Sequence, residues 1–471
     1  MAFSSSWFLL FSFTLFAFLP FISSSSSSSS SSSTITTIPL SFINTNSSPD
    51  LYQKLAHLAS ISLARAHRIK NPNENAAVSN TTTPLLPRSY GAYSISLSFG
   101  TPPKSLPFVF DTGSNFVWFP CTRNYLCQNC SASPIPTFIP KDSSSAKRVG
   151  CLNPKCGWIH EKTVINNRCQ DCPSPNSKNC TQICPPYIII YGSGLTSGIA
   201  LLDTLDLPNK KIPNFLVGCS ILSSHTPSGI AGFGRGLVSL PSQLGIKRFS
   251  YCLISHRFDD SGYSSSLVLD SESNSDKKSG NLSYTPMLKN PKVRGKSSLS
   301  EYYYVSLRKI SVGGKKVRIP YENLVPNSDG KGGTIVDSGT TFTILSYQVF
   351  ELVISEFIKQ MKLYKRAEKI EFLTGLRPCY NLSSEYKKIE FPEMKFHFKG
   401  GAEMKLPLAN YFSLVGDKDD VVCLTMIADE NESSGPSIIL GNFQMQNFHV
   451  EYDLKNERFG FRQQLCKSYK S

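Results

Sequence analysis

Two short acidic turns constrain this chain more than any other feature. Residues 108–119 read Phe-Val-Phe-Asp-Thr-Gly-Ser-Asn-Phe-Val-Trp-Phe, an apolar run interrupted by Asp-Thr-Gly and resumed beyond it. Residues 334–345 read Thr-Ile-Val-Asp-Ser-Gly-Thr-Thr-Phe-Thr-Ile-Leu and repeat the pattern. Asp111 and Asp337 therefore hold equivalent positions in two halves of one chain. Turns of this kind, each between two apolar strands, can meet face to face across a pseudo-twofold axis. The fold must then serve both halves.

The repeat extends beyond the aspartates. Residues 93–99 alternate apolar and polar with the period of a half-buried strand and end in Gly100-Thr-Pro-Pro. Residues 302–307 with Gly313-Gly314 stand in the same relation to the second turn. After each turn comes an apolar strand ending in glycine, within residues 229–236 in the first half and 437–442 in the second. The glycines of 229–236 lack the spacing and the βαβ surroundings of a dinucleotide-binding loop. Residues 187–205 read as a hairpin around Gly192-Ser-Gly194, and 348–361 is the best helix candidate of the second half. With 30 Phe, 20 Tyr, 30 Gly and 30 Pro in 471 residues, the composition is that of a mainly β protein with many turns.

The first 88 residues differ from the rest. Residues 7–22 are uncharged and apolar apart from Ser12 and Thr14, too short for a comfortable membrane span and placed like a secretory signal. Residues 23–33 are an unbroken serine run. Residues 51–70 have helical spacing, with Leu51, Leu55, Leu58 and Ala59 on one side and His57, Arg65, His67, Arg68 and Lys70 as basic groups. Residues 71–87 form a linker rich in Asn, Thr and Pro. A helix and linker between a signal and the first strand have the organisation of a propeptide. It serves either to cover an acidic cleft with its basic groups or simply to aid folding.

Fourteen cysteines in an exported chain imply disulfides. Nine lie within 121–184, a segment without regular periodicity that reads as a stapled insertion on the first half. Zinc binding by Cys127-x-x-Cys130 and Cys169-x-x-Cys172 is the weaker reading. Eleven cysteines precede the polar junction at 271–300 and three follow it, so complete internal pairing requires an odd number of bridges between the halves. Asn46, Asn80, Asn129, Asn179, Asn281, Asn381 and Asn431 stand in glycosylation sequons. The net charge of +15 comes from scattered basic pairs such as Lys210-Lys211 and Lys387-Lys388, which form no nucleic-acid-binding stripe.

With its paired acidic turns and glycine-ended strands, the chain resembles the pepsin-type aspartic proteases (peptidase family A1) from about residue 90 to 466. The cysteine-rich insertion, residues 239–244 (Ser-Leu-Pro-Ser-Gln-Leu), 249–252 (Phe-Ser-Tyr-Cys) and 441–447 (Gly-Asn-Phe-Gln-Met-Gln-Asn) are similar to the plant nepenthesin-like branch. The resemblance implies a mainly β, bilobal fold with pseudo-twofold symmetry and a cleft between the lobes. It divides the chain into signal and serine run (1–33), propeptide (34–88), N-terminal lobe (89–290) and C-terminal lobe (291–471). It implies Asp111 and Asp337 as the catalytic pair, supported by Thr112, Gly113, Ser114, Ser338, Gly339 and Thr340, with Tyr191 on the flap and its hydroxyl near the indole of Trp118. It also implies the disulfides Cys121–Cys219, Cys127–Cys130, Cys252–Cys466 and Cys379–Cys423, and leaves the pairing of Cys151, Cys156, Cys169, Cys172, Cys180 and Cys184 open. Leu195 replaces the usual Ser of the flap and Asn115 the usual Ser or Asp, departures that bear on flap contacts and specificity.

The expected chemistry is acid hydrolysis of peptide bonds. Two carboxylates sharing a site cannot both ionise easily, so one serves as base for a water and the other as acid. No cofactor, metal or covalent intermediate is required, and neither a His-Glu-x-x-His nor a Gly-x-Ser-x-Gly element is present. Expected partners are protein or peptide substrates and pepstatin-type inhibitors, with no nucleic acid, no stable membrane insertion and a monomeric state. The expected location is secreted, in the apoplast or cell wall, with the vacuole as alternative. The competing reading is a secreted protein of the same fold that binds and inhibits cell-wall glycosidases without cleaving anything.

Overall fold

Each acidic turn sits at the end of a strand that pairs in parallel with a glycine-ended strand from later in its own half. In a computed structural model, Lys104–Asp111 runs parallel to Gly229–Gly232, with Asp111 opposite Gly232. Thr334–Val336 runs parallel to Ile438–Leu440 in the same way. The strand after each turn closes the unit antiparallel: Trp118 lies opposite Ile230, and Ile344 opposite Ile439. Next to the turns these strands are mostly apolar, with Phe108, Phe110, Val117, Phe119, Ile335, Val336, Ile344 and Leu345 all buried.

The structure describes residues 35–42, 51–70 and 91–470, apart from 129, 131–134, 173–179, 193, 226–227, 256–262, 272–280, 295, 383–389, 416–419, 431–434 and 467–468. The signal segment, the serine run, the linker, residues 272–280 and 295 of the junction and Asn46, Asn80, Asn129, Asn179 and Asn431 lie outside these residues. The fold is mainly β and bilobal. One large sheet carries strands of both halves: Arg248–Cys252 pairs with Phe448–Asp453 on one side and Tyr263–Asp270 on the other. Beneath the acidic turns this sheet packs an aromatic cluster. Phe110 meets Phe233 and Tyr251 edge-on at 4.7 and 5.1 Å, while Tyr452 stacks on Phe249 at 4.5 Å and meets Tyr303 at 4.6 Å. Rings from both halves share this cluster, so the halves are fixed to one another below the turns.

The leading segment belongs to this architecture. A strand that periodicity did not single out, Ile35–Phe42, is inserted between Tyr93–Phe99 and Tyr263–Asp270, with Ile38 and Leu40 turned into the core. The helix Leu51–Lys70 follows. Its buried residues Leu55, Leu58, Ala59, Ser62, Ala66 and Ile69 recur at helical spacing along one face. The first three pack with Phe342, Ile427 and Phe443, and the last two with Tyr302, Tyr304 and Ile439. The second-half helix runs Tyr347–Gln360, shifted by one residue from the expected bounds. No helix among the described residues is long and apolar enough to cross a membrane.

Seven disulfides use all fourteen cysteines. They comprise the four pairs named above together with Cys151–Cys169, Cys156–Cys184 and Cys172–Cys180. Cys169 and Cys172 bond to different partners, and neither is left as a zinc thiolate. The odd bridge between the halves is Cys252–Cys466, which closes 214 residues of sequence. A loop of that length restricts the unfolded chain strongly. The double variant Cys252→Ala/Cys466→Ala is expected to lose about 4 kcal/mol of unfolding free energy, measured by denaturant titration against the wild-type chain.

Candidate active site

The two acidic turns grip one another through their central hydroxyls. The Thr112 amide donates to Ser338 Oγ at 3.0 Å, and the Ser338 amide donates to Thr112 Oγ1 at 2.9 Å. Each hydroxyl donates onward to a carbonyl of the opposite half, Thr112 to Val336 at 3.4 Å and Ser338 to Phe110 at 3.1 Å. Both residues are fully buried. Either amide would be left without a partner if the opposing hydroxyl were lost, so the four bonds hold the turns in one relative position.

That position brings the carboxyl groups together. Asp111 Oδ1 accepts from the Gly113 amide at 2.9 Å, and Asp111 Oδ2 accepts from Ser114 Oγ at 2.6 Å. The second half repeats this: Gly339 N–H reaches Asp337 Oδ1 at 2.9 Å and Thr340 Oγ1 reaches Asp337 Oδ2 at 2.5 Å. The two glycines serve close approach rather than an unusual backbone angle. A β-carbon on Gly113 would collide with the Asp337 carboxyl, and one on Gly339 with that of Asp111.

Arg65 of the leading helix lies between the carboxylates. Its Nη2 is 2.5 Å from Asp111 Oδ1 and 3.0 Å from Asp337 Oδ1, and its Nε is 2.5 Å from Asp337 Oδ2. The arginine side chain is 12% exposed and the carboxylates are sealed. Burial by itself lowers the guanidinium pKa, but the two carboxylates outweigh it and raise it above the ordinary value. Burial drives Asp111 above the usual carboxylate range, and the charge of Asp337 adds to this against the pull of Arg65. Burial pushes Asp337 in the same direction, but its contacts with Arg65, Thr340 and Gly339 prevail and leave it below the ordinary value. The sequence identified the basic helix without singling out Arg65; its offset from the two turns carries no motif.

Further charges fix the end of the helix. Lys70 Nζ is 2.6 Å from Asp429 Oδ2 and His67 Nε2 is 2.9 Å from Asp429 Oδ1. Arg68 Nε donates to the carbonyl of Ile190 on the flap strand at 3.0 Å. Tyr191, the last residue of that strand, accepts a 2.9 Å hydrogen bond from the Trp118 indole. Burial, then the nearby Asp111 charge, raises its phenol pKa well above the ordinary value. Gly192 follows, and a β-carbon there would strike the backbone of Arg65. Leu195 donates its amide at 3.1 Å to Oγ of Ser224, at the end of the neighbouring strand Lys210–Ser224. Asn115 donates to the Glu301 carboxylate and accepts from Gly236 N–H at 2.8 Å. Burial pushes Glu301 up to about 7. A cleft of about 380 Å³ remains beside the helix, bounded by the flap, Trp158, His160 and Glu301.

Comparison with known proteins identifies the family. Family profiles described as "Xylanase inhibitor N-terminal" and "Xylanase inhibitor C-terminal" match residues 93–269 and 302–463. A probable aspartyl protease of Arabidopsis thaliana is 34% identical over 81% of this chain and 84% of its own length. Nepenthesin-2 and nepenthesin-1 of Nepenthes gracilis are 33% and 32% identical, each over 80% of this chain and 78% of their own length. The chain belongs to the pepsin-type aspartic protease family, in its plant nepenthesin-like branch. The same fold occurs in the crystal structure titled edgp, with a TM-score of 0.62 and 19% identity over 92% of this chain and 95% of that one. Basic 7S globulin from soybean gives 0.58 and 16% over 91% and 96%. Among the described glycosylation candidates of this family member, Asn281 is exposed and Asn381 is half-buried at the end of Cys379–Asn381.

The reciprocal hydroxyl bonds have a measurable consequence. Ser338→Ala leaves the buried Thr112 amide unpaired and is expected to cost about 1–3 kcal/mol of unfolding free energy, read by urea denaturation. Thr112→Val is expected to cost a similar amount, because it strands the Ser338 amide.

Proposed function

We propose that this protein is an exported aspartic endopeptidase, made as a zymogen and active in acid once the leading helix has left. The observation that carries the reading is the pair of mutually facing carboxylates, each with its own amide and hydroxyl donor, sharing a single guanidinium. Such a pair without Arg65 holds two like charges in a buried site, where the second ionisation is strongly opposed. The singly protonated state then supplies both functions of amide hydrolysis. The ionised member takes a proton from a water that attacks the peptide carbonyl. The protonated member polarises the carbonyl oxygen, and a proton passes to the leaving nitrogen as the C–N bond breaks. Thr112 and Ser338 hold the turns, Ser114 and Thr340 orient the outer oxygens, and Tyr191 on Trp118 forms the flap that excludes water.

Arg65 explains silence before activation. It occupies the place of the attacking water and neutralises the base. The sign of its pH dependence follows from the carboxylates. Asp337 lies below its ordinary value, so its hold on Arg65 is complete above that range and is lost as pH falls through the depressed pKa. Asp111 lies above its ordinary value and gives up its charge earlier in the descent. Acid therefore loosens the helix and protonates the pair in one direction. Export to the apoplast or cell wall, with the vacuole as alternative, a monomeric state, and inhibition by pepstatin-type compounds whose hydroxyl mimics the attacking water belong to the same reading.

The alternative is a binding protein of this fold directed at cell-wall glycosidases, which the descriptions of the two matching family profiles favour. A binding protein has no use for two carboxylates with complete donor sets, which is why we prefer the enzyme. Asp111→Asn and Asp337→Asn are each expected to abolish acid cleavage of a denatured protein substrate by the activated chain, with circular dichroism unchanged. The wild-type profile is expected to be bell-shaped with a maximum at about pH 3 to 5. Pepstatin-insensitive cleavage that persists in both variants would overturn the pair as the reaction centre. Arg65→Ala leaves the two carboxylates without their buried cation and is expected to weaken helix retention by about 3–5 kcal/mol, so that the intact variant activates at higher pH than the wild type.

A further inference from the structure

The second charged anchor of the helix points to a substrate preference. Asp429 ends the strand Met426–Asp429, which lies against the helix and pairs with Thr343–Ser346 just beyond the second acidic turn. Its carboxylate is sealed from solvent, and two of its partners, Lys70 and His67, come from the helix. The aliphatic stem of Lys70 has its own slot. A β-carbon on Gly435 would lie 2.6–2.9 Å from the Lys70 Cα, Cβ and Cγ atoms, so the absence of a side chain at 435 makes the room that the stem fills. The lysine is only 3% exposed. The end of the helix thus lies in a receptacle for a long cationic side chain: room left by the glycine at 435 and a buried carboxylate at its end.

We propose that Asp429 is a specificity-determining residue that selects Lys or Arg in a peptide substrate, at a position two to three residues from the scissile bond. The inference rests on the endopeptidase reading, in which the helix fills the groove that substrate later takes. Arg65 marks the reaction centre and Lys70 is five residues farther along the helix. Five helical residues advance about 7.5 Å. An extended peptide covers that distance in roughly two to three residues at about 3.3 Å each. Departure of the helix removes Lys70 and His67 together and leaves the carboxylate facing the groove. A buried carboxylate that has lost two cationic partners is costly, and an incoming Lys or Arg replaces them, whereas an apolar side chain of the same length cannot. The helix on this account is a pseudosubstrate at two points rather than a plug at one.

The test uses the full chain, folded and then cut within residues 71–90 at an inserted site for a specific protease, so that the helix can be removed. Statine-containing peptides with Lys or norleucine at each of the three positions on either side of the statine are titrated into the cut protein by calorimetry. The expected result is one position at which Lys binds on the order of tenfold more tightly than norleucine. That ratio is expected to fall towards one in Asp429→Asn and to persist in Asp429→Glu, which keeps the charge. Cleavage of the matching peptides without statine is expected to show the same position and the same loss in kcat/KM. If no position in the wild-type scan favours Lys, or if the preference survives in Asp429→Asn, Asp429 is only an anchor for the helix and the inference is overturned. Because binding is measured apart from cleavage, a cut protein that shows the Lys preference but cleaves nothing retains the subsite and loses the endopeptidase reading.

Discussion

The reciprocal hydrogen bonds between Thr112 and Ser338 are the constraint from which the rest of the site follows. They are short-range, fully buried and symmetric, and they leave no freedom for one turn to slide past the other. With the turns fixed, the glycines beside the aspartates can approach the opposite carboxyls, and the carboxyls must share one small volume. The aromatic cluster below, drawn from both halves, and the single bridge Cys252–Cys466 stabilise the same relation at longer range. Two like charges held this closely are unfavourable until a cation or a proton arrives, and the chain supplies the cation itself.

Arg65 satisfies that requirement at the cost of access to the site. The helix bearing it is not a loose cover. Its apolar face is part of the buried structure, and the strand Ile35–Phe42 before it occupies an interior place in the central sheet. Its charged contacts divide between the facing carboxylates, the flap carbonyl of Ile190 and Asp429. On the zymogen reading proposed above, acid acts on Asp111 and Asp337 and spares the apolar contacts, which then oppose departure of the helix. The departure at Asn115 has a physical reason in the same region. Its amide donates to Glu301 where an aspartate would set two carboxylates against each other, and its carbonyl also accepts from Gly236.

Much of the fold was legible because it is written twice. The Asp-Thr-Gly and Asp-Ser-Gly turns, the apolar strands on either side and the later glycine-ended strands recur in both halves, and the structure pairs them within each half. The helix Leu51–Lys70 was legible from its period, and its basic character pointed to an acidic cleft. What the sequence did not reveal is relational. Residues 38–42 do alternate, Ile-Pro-Leu-Ser-Phe, but Pro39 and the adjoining polar residues obscured a strand that is defined by its neighbours in space. Arg65 was one of six basic groups on a helix, and only the docking angle of the apolar face selects it. Asp429 and Glu301 lie outside any motif; each matters because a folded groove brings it to a cation or an amide from distant sequence.

The central claim is that the facing carboxylates of Asp111 and Asp337 hydrolyse peptide bonds and that the helix with Arg65 prevents it. The most direct measurement is the rate at which the folded chain digests an acid-denatured protein at pH 4, before and after a specific cut within residues 71–90 and removal of the helix. The account predicts no turnover by the intact chain under conditions that retain the helix, pepstatin-sensitive turnover after its removal, and none in cut Asp337→Asn. A cut, folded and helix-free chain that binds a cell-wall glycosidase and cleaves no protein would contradict it.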